Sequence, residues 1–275
     1  MDLSQIKMVV TDMDGTLLNS NHEVSERFFS VFEKLKEKNI LFVAASGRQY
    51  HSMIHKLQRI QDDIIFIAEN GALVKQGNQE ISVTPINEAL QGELLQIISH
   101  IDGAYAMLCG KYKSYFDGNS MAFLEQLKEY YSNYEVVPDF SMVTDEIVKI
   151  AVYHDISAEK YIYPKMHHLE NEIKVKVSGQ HWVDLNHSNA HKGNALQEVM
   201  NARDIGPSEV LVFGDYNNDL EMLALADYSF AMANAHPNVK AVAKYTAHSH
   251  NDFGVERVLE QMIAQKDSLS QPDSF

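Results

Sequence analysis

The chain contains one cysteine, Cys109, among 275 residues, so no disulfide can form within it. It also lacks any run close to the roughly 18 consecutive apolar residues that a membrane-spanning helix requires. Lysine and arginine number 23 against 38 aspartate and glutamate residues, which leaves a net charge of −15. Such a balance disfavours nucleic acids and anionic membranes, because both are bound through clustered basic residues. We expect neither as a partner, and the scarcity of cysteine indicates a reducing compartment.

Residues 1–7 lack the basic-then-apolar layout of a secretory signal, so a cytoplasmic location is expected. The length and the hydrophobic content of 45% are sufficient to bury a core in one large domain or two moderate ones. The sequence does not fix the oligomeric state, and a monomer or small homo-oligomer is the expectation.

Apolar runs followed by amphipathic helical segments recur in the first and last parts of the chain. The runs predicted as buried strands are 8–10, 40–45, 64–67 and 210–213. Continuous apolar strands that alternate with helices are typical of an α/β fold, with a parallel sheet covered on both faces. The pattern therefore predicts a Rossmann-like, doubly wound parallel sheet, in which ligands gather at the carboxyl ends of the strands.

The pattern changes after about residue 83. Further strand-like segments mix polar and apolar positions, as a one-faced antiparallel sheet does, and they lie at 105–109, 113–116, 147–153 and 174–177. This indicates a separate α+β domain, 83–185, inserted into a main domain formed by 1–82 and 186–275. The residues from about 266 are polar and predict a loose tail.

Two acidic residues come directly after the first predicted strand, in Asp12-Met13-Asp14-Gly15-Thr16. Side chains two apart on an extended chain point the same way, so Asp12 and Asp14 face one spot. Two such acids repel unless a cation lies between them or one of them holds a proton. A solvated Asp-Gly turn is the alternative, but it does not explain a buried strand that leads into paired acids.

A second acidic cluster, Gly214-Asp215 with Asn218-Asp219, follows the strand predicted at 210–213. Its carboxylate and amide oxygens are the hard ligands that Mg²⁺ prefers. Taken alone, Asp219 could equally cap the helix that follows. Together with Asp12 and Asp14 at the same edge of the sheet, the cluster predicts a divalent-cation site, because unneutralised carboxylates in one pocket are costly.

Two short segments have the chemistry to bind an anion. Ser46-Gly47-Arg48 offers a hydroxyl, unhindered backbone N–H groups and a guanidinium beside a predicted helix start, which suits phosphate. An ordinary strand-to-helix turn explains the tripeptide alone equally well. Lys192 opens another predicted helix, where a cation is disfavoured by the helix dipole unless it has an anionic partner. A solvated surface lysine is the alternative there.

These segments, in this order, resemble the four motifs of the haloacid dehalogenase superfamily of phosphotransferases. Residues 12–16 match the first motif, Ser46 the second, Lys192 the third, and residues 214–219 the fourth. The insertion resembles the type-two cap of the Cof-type branch. Within that branch the run of motifs is most similar to the broad-specificity sugar phosphatases, which implies a haloacid dehalogenase core sheet with an inserted α+β cap.

The resemblance implies a role for each acidic residue. Asp12 attacks phosphorus and forms an aspartyl phosphate. Asp14 protonates the departing alcohol and then takes a proton from the attacking water. Mg²⁺ is held by Asp12, Asp215 and the backbone carbonyl of Asp14, and Asp219 holds a metal-bound water. The residues implied to bind the substrate, most of them through its phosphoryl oxygens, are Ser46, Gly47, Arg48, Lys192 and Asn218.

The implied activity is a Mg²⁺-dependent phosphatase of small phosphorylated metabolites, with sugar phosphates favoured. The inserted domain is expected to close over the substrate and exclude bulk water. The alternatives are a phosphomutase and a phosphatase that acts on a cofactor such as flavin mononucleotide or pyridoxal phosphate. A non-catalytic phospholigand-binding module is disfavoured, because every ionisable group that the chemistry needs is present.

Overall fold

The computed structural model describes residues 1–118, 120, 123–125, 127, 131 and 133–270. The chain divides into two compact units. The first comprises Met1–Gly47, Met53–Ile81 and His191–Phe275, and the second comprises Arg48–Ser52 and Ser82–Ala190. None of the helices in the described ranges combines the length and the apolar character that crossing a membrane requires.

The strands and helices that the structure describes follow in chain order. The strands are β1 (Met8–Asp12), β2 (Leu41–Ala45), β3 (Ile65–Ala68), β4 (Leu73–Gln76), β5 (Gln79–Val83), β6 (Ala104–Gly110), β7 (Ser114–Phe116), β8 (Tyr134–Val136), β9 (Ile147–His154), β10 (Ile173–Val177), β11 (Trp182–His187), β12 (Val210–Gly214), β13 (Tyr228–Ala231) and β14 (Tyr245–Thr246). The helices are α1 (Glu26–Glu37), α2 (Tyr50–Lys56), α3 (Glu88–Ser99), α4 (Ala158–Tyr161), α5 (Tyr163–Met166), α6 (Lys192–Arg203), α7 (Leu220–Leu225), α8 (Pro237–Val242) and α9 (Gly254–Ser270).

The sheet of the first unit has the order β14-β13-β12-β1-β2-β3-β4-β5. The strands from β14 to β3 pair in parallel. Strand β4 runs antiparallel to β3. The predicted doubly wound parallel sheet is confirmed, and β4 and β5 extend it at one edge. The sequence did not predict those two strands, because they are short and contain several polar residues.

Strands β1 and β12 are buried along their whole length, as their apolar sequences predict. Helix α1 begins at the N-cap Ser25, whose hydroxyl accepts the backbone N–H of Phe28 at 2.9 Å. The rings of Phe28 and Phe32 pack against Phe42 of β2, with centroid distances of 5.1 and 5.9 Å. These contacts attach the helix to the sheet and help to hold the strand ends in a fixed position.

The second unit is a sheet of order β10-β11-β9-β6-β7-β8, antiparallel from β10 to β7. One apolar cluster packs α3, α4 and α5 against it through residues such as Leu94, Ile98 and Met166. Another cluster contains Cys109, whose side chain is fully buried, together with Phe116. The prediction of an α+β unit is confirmed, and β11, which lies between β10 and β9, is a strand that the sequence did not predict.

The C-terminal helix α9 extends to Ser270, so residues 266–270 are not the loose tail that the sequence predicted. The helix continues because tertiary contacts hold it: the Lys266 ammonium donates to the Ser4 carbonyl at 2.5 Å, and Asp267 pairs with Lys38. The backbone N–H of Leu3 also donates to the Gln265 side chain at 2.8 Å. Polar composition alone did not reveal these contacts. The predicted tail beyond residue 270 lies outside the described residues.

Candidate active site

Parallel pairing brings three strand ends of the first unit to one edge of the sheet. Strand β1 lies between β12 and β2, with Thr11 in register with Phe213 and Asp12 in register with Ala45. Asp215 and Ser46, which follow β12 and β2, therefore lie at the same edge as Asp12. This is the juxtaposition that the sequence predicts.

The loop after β1 is held against the loop after β12. The Thr16 hydroxyl donates to Asp215 Oδ1 at 3.2 Å, and the Asn234 amide donates to the Gly15 carbonyl at 2.8 Å. Gly15 has a φ of +80°, and a Cβ at this position would lie 2.2 Å from Asp215 Oδ2. Only glycine fits there, because both the backbone conformation and the approach of Asp215 exclude a side chain.

Three carboxylates converge at this edge: one oxygen from each of Asp12, Asp215 and Asp219 lies within 4.8 Å of the others. Oδ2 of Asp219 accepts the backbone N–H groups of Asp215 and Tyr216 at 2.9 and 3.1 Å. Hard oxygen donors at this spacing fit a divalent cation such as Mg²⁺. The Asp14 carboxylate is not a member of this trio, and its backbone carbonyl remains a predicted ligand.

Lys192 is the first residue of α6, and its side chain is fully buried. Its ammonium donates to Asp12 Oδ1 at 2.5 Å and to Asp219 Oδ1 at 2.7 Å. The alternative of a solvated surface lysine is therefore wrong. The ammonium offsets part of the repulsion in the trio, because a buried carboxylate needs a charged or hydrogen-bonded partner.

Burial and mutual repulsion change how the acids of the trio titrate. Loss of water raises the pKa of Asp12 well above its ordinary value, with the charges of Asp219 and Asp215 acting in the same direction. Burial, followed by the charge of Asp219, raises the pKa of Asp215 to about 6. For Lys192, burial alone lowers the pKa, but Asp12 and Asp219 outweigh burial and raise it. The lysine remains charged, and the carboxylates favour a further cation or a proton.

Replacement of Asp215 by asparagine is expected to stabilise the metal-free protein. A raised carboxyl pKa means that stability falls as the pH rises from the ordinary value of 3.8 to about 6, because only the folded state resists ionisation. At about pH 7.5 we expect Asp215→Asn to raise the melting temperature by about 2–4 °C, and near pH 4 the difference vanishes. We expect Mg²⁺ to raise the melting temperature of the unmodified protein and to have no such effect on this variant.

The control for this prediction is Asp62→Asn, which removes a carboxylate from the exposed surface. It should leave the melting temperature within about 1 °C and should preserve the response to Mg²⁺, because surface substitutions have small effects. Thermal unfolding across this pH range measures both variants. An Asp215→Asn protein that melts below the unmodified one at about pH 7.5 contradicts the proposed repulsion.

Asn70 links two of the predicted phosphate-binding residues. Its side-chain oxygen accepts the Asn218 amide at 3.2 Å, and a Cβ on Gly47 would lie 2.9 Å from the same oxygen. Asn70 has a φ of 58°, a left-handed conformation that asparagine tolerates, and its N–H donates to the Ser46 carbonyl at 3.0 Å. Asn70 lies just after the end of β3, and it is not among the site residues that the sequence predicts.

Two further predicted residues, Asp14 and Arg48, have neighbours of their own. Asp14 Oδ1 lies 3.2 Å from Nδ1 of His22, a residue that sequence reasoning did not select. Arg48 belongs to the second unit, where its guanidinium donates to the Ser52 hydroxyl at 3.3 Å. Its role in substrate binding stays a prediction.

Comparison with known proteins agrees with this geometry. The family model of the haloacid dehalogenase-like hydrolases matches residues 9–259. The 5-amino-6-(5-phospho-D-ribitylamino)uracil phosphatase YbjI of Escherichia coli is 31% identical over 97% of this chain and 99% of its own. The crystal structure of SMU.1108c from Streptococcus mutans has a TM-score of 0.82 and 31% identity, and the match covers 94% of this chain and 99% of that one.

A structure described as a HAD subclass IIB sugar phosphatase, BT4131, shares the fold with a TM-score of 0.78 at 20% identity, over 93% of this chain and 98% of that one. The chain therefore belongs to the haloacid dehalogenase-like hydrolases, in their Cof-type branch, and it is a phosphatase. The resemblance noted in the sequence is confirmed.

Proposed function

We propose that the protein is a Mg²⁺-dependent phosphatase that hydrolyses phosphate monoesters of sugars or sugar alcohols through an aspartyl phosphate on Asp12. The observation that carries the proposal is the convergence of Asp12, Asp215 and Asp219, two of which, Asp12 and Asp219, accept hydrogen bonds from the buried ammonium of Lys192. We also place the activity in the cytoplasm, which suits a chain with one buried cysteine.

The first chemical step is transfer of the phosphoryl group to Asp12. A carboxylate oxygen of Asp12 attacks phosphorus while the bond to the leaving oxygen breaks, and Asp14 gives its proton to that oxygen. In the second step water attacks phosphorus, its proton passes to Asp14, and the bond between Asp12 and phosphorus breaks. Inorganic phosphate leaves, and both acids return to their starting states.

The trio and Lys192 prepare the site for an anion. Asp12 and Asp215, with the Asp14 carbonyl, would hold Mg²⁺, which supplies positive charge where two anions must approach each other. Lys192 fixes the orientation of the Asp12 carboxylate through its hydrogen bond and keeps its own charge beside the reacting phosphorus. Asp219 holds the lysine and, through the backbone N–H groups of Asp215 and Tyr216, the loop after β12.

The phosphoryl oxygens would be held by donors that Asn70 arranges. The Asn218 amide donates to the Asn70 side-chain oxygen, Gly47 lies beside the same oxygen, and Ser46 directly follows β2. Backbone and amide donors fixed in advance stabilise developing charge without a reorganisation cost during the reaction. Lys192 adds a cation to this group.

The substrate class is supported by the named relative. The name of YbjI describes a phosphate at the 5-position of a D-ribityl chain, which is a primary sugar-alcohol phosphate. A relative 31% identical over almost the whole of both chains makes this type of leaving group the first choice here. The same ribitylaminouracil phosphate is therefore a specific candidate substrate.

The test is a panel of phosphorylated metabolites assayed for released phosphate with Mg²⁺ and with excess chelator. It should contain the ribitylaminouracil phosphate, ribose and hexose phosphates, flavin mononucleotide and pyridoxal phosphate. We expect sugar and sugar-alcohol phosphates to be hydrolysed fastest, without an added acceptor, and the chelator to abolish turnover. Turnover that persists with excess chelator argues against a role for Mg²⁺. Transfer of the phosphoryl group to a sugar, in place of water, identifies a phosphomutase.

A further inference from the structure

A short loop after β1 carries His22 to the Asp14 carboxylate. The Asn19 side-chain oxygen accepts the backbone N–H groups of Asn21 and Glu23 at 2.9 and 3.0 Å. The Asn19 N–H donates to the Glu23 carbonyl at 3.0 Å, and the His22 N–H donates to the Asn19 carbonyl at 2.8 Å. Asn19 therefore closes the loop with its side chain as well as its backbone, which limits the positions that His22 can take.

The backbone at His22 is left-handed, with a φ of 57°. This conformation is uncommon for residues other than glycine, although histidine is among the residues enriched in it. It places Nδ1 of the ring 3.2 Å from Asp14 Oδ1. The exposed fractions of the two side chains are 63% and 40%, so the contact adds little to folding stability. At this distance the ring can instead orient the Asp14 carboxyl group.

We propose that His22 is a positioning residue for Asp14, an inference that rests on the proposed function. With its proton on Nδ1, the neutral ring donates to Oδ1 of Asp14, which leaves the proton of the carboxyl group on Oδ2. That proton passes to the leaving oxygen as the bond from phosphorus to this oxygen breaks and the bond from Asp12 to phosphorus forms. Oδ2 then accepts a proton from the water that attacks phosphorus and releases Asp12.

This role predicts a dependence on the leaving group. An alkyl phosphate releases a strongly basic alkoxide, so its departure depends on the proton from Asp14. A p-nitrophenyl phosphate releases a stable anion and needs little assistance. Loss of the contact between His22 and Asp14 should therefore slow hydrolysis of alkyl phosphates selectively. A residue that only supported the fold would slow both substrates alike.

The test compares His22→Gly with His22→Asn. Glycine accepts the positive φ and removes the ring, whereas asparagine tolerates the same backbone and keeps an amide donor near the position of Nδ1. The quantity measured is kcat/KM, which covers only the steps up to formation of the aspartyl phosphate. For a sugar-alcohol phosphate we expect a fall of about 10-fold in His22→Gly and recovery to within about threefold in His22→Asn. For p-nitrophenyl phosphate both variants stay within about twofold.

The matched control is Asn21→Ala, which changes the neighbouring exposed side chain and retains the N–H that Asn19 binds. It should leave both substrates unaffected. Equal losses on the two substrates in His22→Gly, or no loss on the alkyl phosphate, overturn the inference. Melting temperatures of all variants show whether any of them is unfolded.

The Asp14→Asn variant distinguishes two outcomes: that His22 does not position Asp14, and that Asp14 is not the acid of the proposed function. If Asp14 is the acid, Asp14→Asn shows a larger selective loss on the alkyl phosphate, of roughly 10²-fold or more. Adding His22→Gly to it then causes no further loss, because the two residues act as one unit. Absence of selectivity in Asp14→Asn contradicts the proposed function itself. Selectivity in Asp14→Asn without selectivity in His22→Gly contradicts only the role of His22.

Discussion

Replacement of Asp12 by asparagine is expected to reduce kcat by roughly 10⁴–10⁶-fold, the range found when a covalent nucleophile is removed. The amide oxygen is a far weaker nucleophile than a carboxylate, so the aspartyl phosphate does not form. The fold should persist, because asparagine can still accept the hydrogen bond from Lys192 and no longer repels Asp215 and Asp219. The assay is phosphate release with the preferred substrate at saturation.

Two further measurements make this result decisive. Rapid acid quench of the unmodified enzyme should trap one phosphoryl group per chain, and Asp12→Asn should trap none. Asp227→Asn is the control, because Asp227 forms an exposed ion pair with Lys244 and should retain full activity. If Asp12→Asn releases phosphate at the rate of the unmodified enzyme, the proposed mechanism is wrong.

The second large effect is expected from Lys192→Met, which removes the buried ammonium but keeps a chain of similar length. Asp12 and Asp219 then remain buried without their cationic partner, and breaking a buried pair in this way costs about 3–5 kcal/mol. Activity should fall as well, since the Asp12 carboxylate loses the contact that orients it. Urea unfolding measures the first effect and phosphate release the second.

The control is Lys244→Met, which breaks an ion pair whose side chains are 50% and 52% exposed. Exposed pairs contribute at most about 1 kcal/mol, so this variant should unfold almost as the unmodified protein does. A second replacement, Asp219→Asn in the Lys192→Met background, should recover part of the lost stability and none of the activity. Equal stability of Lys192→Met and Lys244→Met contradicts the assignment of a buried charge network.

The strand ends of the site could be predicted from the sequence because they depend on local rules. Apolar runs predict buried strands, parallel strands align their carboxyl ends, and the acids that follow must then converge. Asp12 and Asp215 follow directly from this reasoning. Ser46 follows from it too, although its own tripeptide was ambiguous.

The partners of Lys192 could not be predicted in the same way. It lies 180 positions from Asp12 and 27 from Asp219, so their contact depends on the tertiary arrangement of α6 against the sheet edge. The resemblance to the haloacid dehalogenase superfamily implied separate roles for Lys192 and Asp219, at the phosphate and at a metal-bound water. Those roles remain predictions, and the contact between the two residues is an additional finding.

Backbone conformation explains two other omissions. Asn70 and His22 lie where the chain adopts a positive φ. The pair Asn70-Gly71 is typical of such a turn, but it does not indicate which groups the Asn70 side chain contacts. The end of the C-terminal helix was mispredicted for a different reason, because it continues past residue 266 through contacts with Ser4 and Lys38 rather than through an apolar pattern. Tertiary contacts of this kind override local composition.

Cys109 gives this protein a convenient chemical reporter. Its thiol is buried in the second unit, and it is the sole thiol of the chain. A thiol reagent can therefore modify the native molecule only when that unit opens, and the modification rate measures how often it does so. Asp12, Lys192 and Asp215 all belong to the first unit. The modification rate of Cys109 in variants of these residues therefore shows whether destabilising the first unit also makes the second unit open more often.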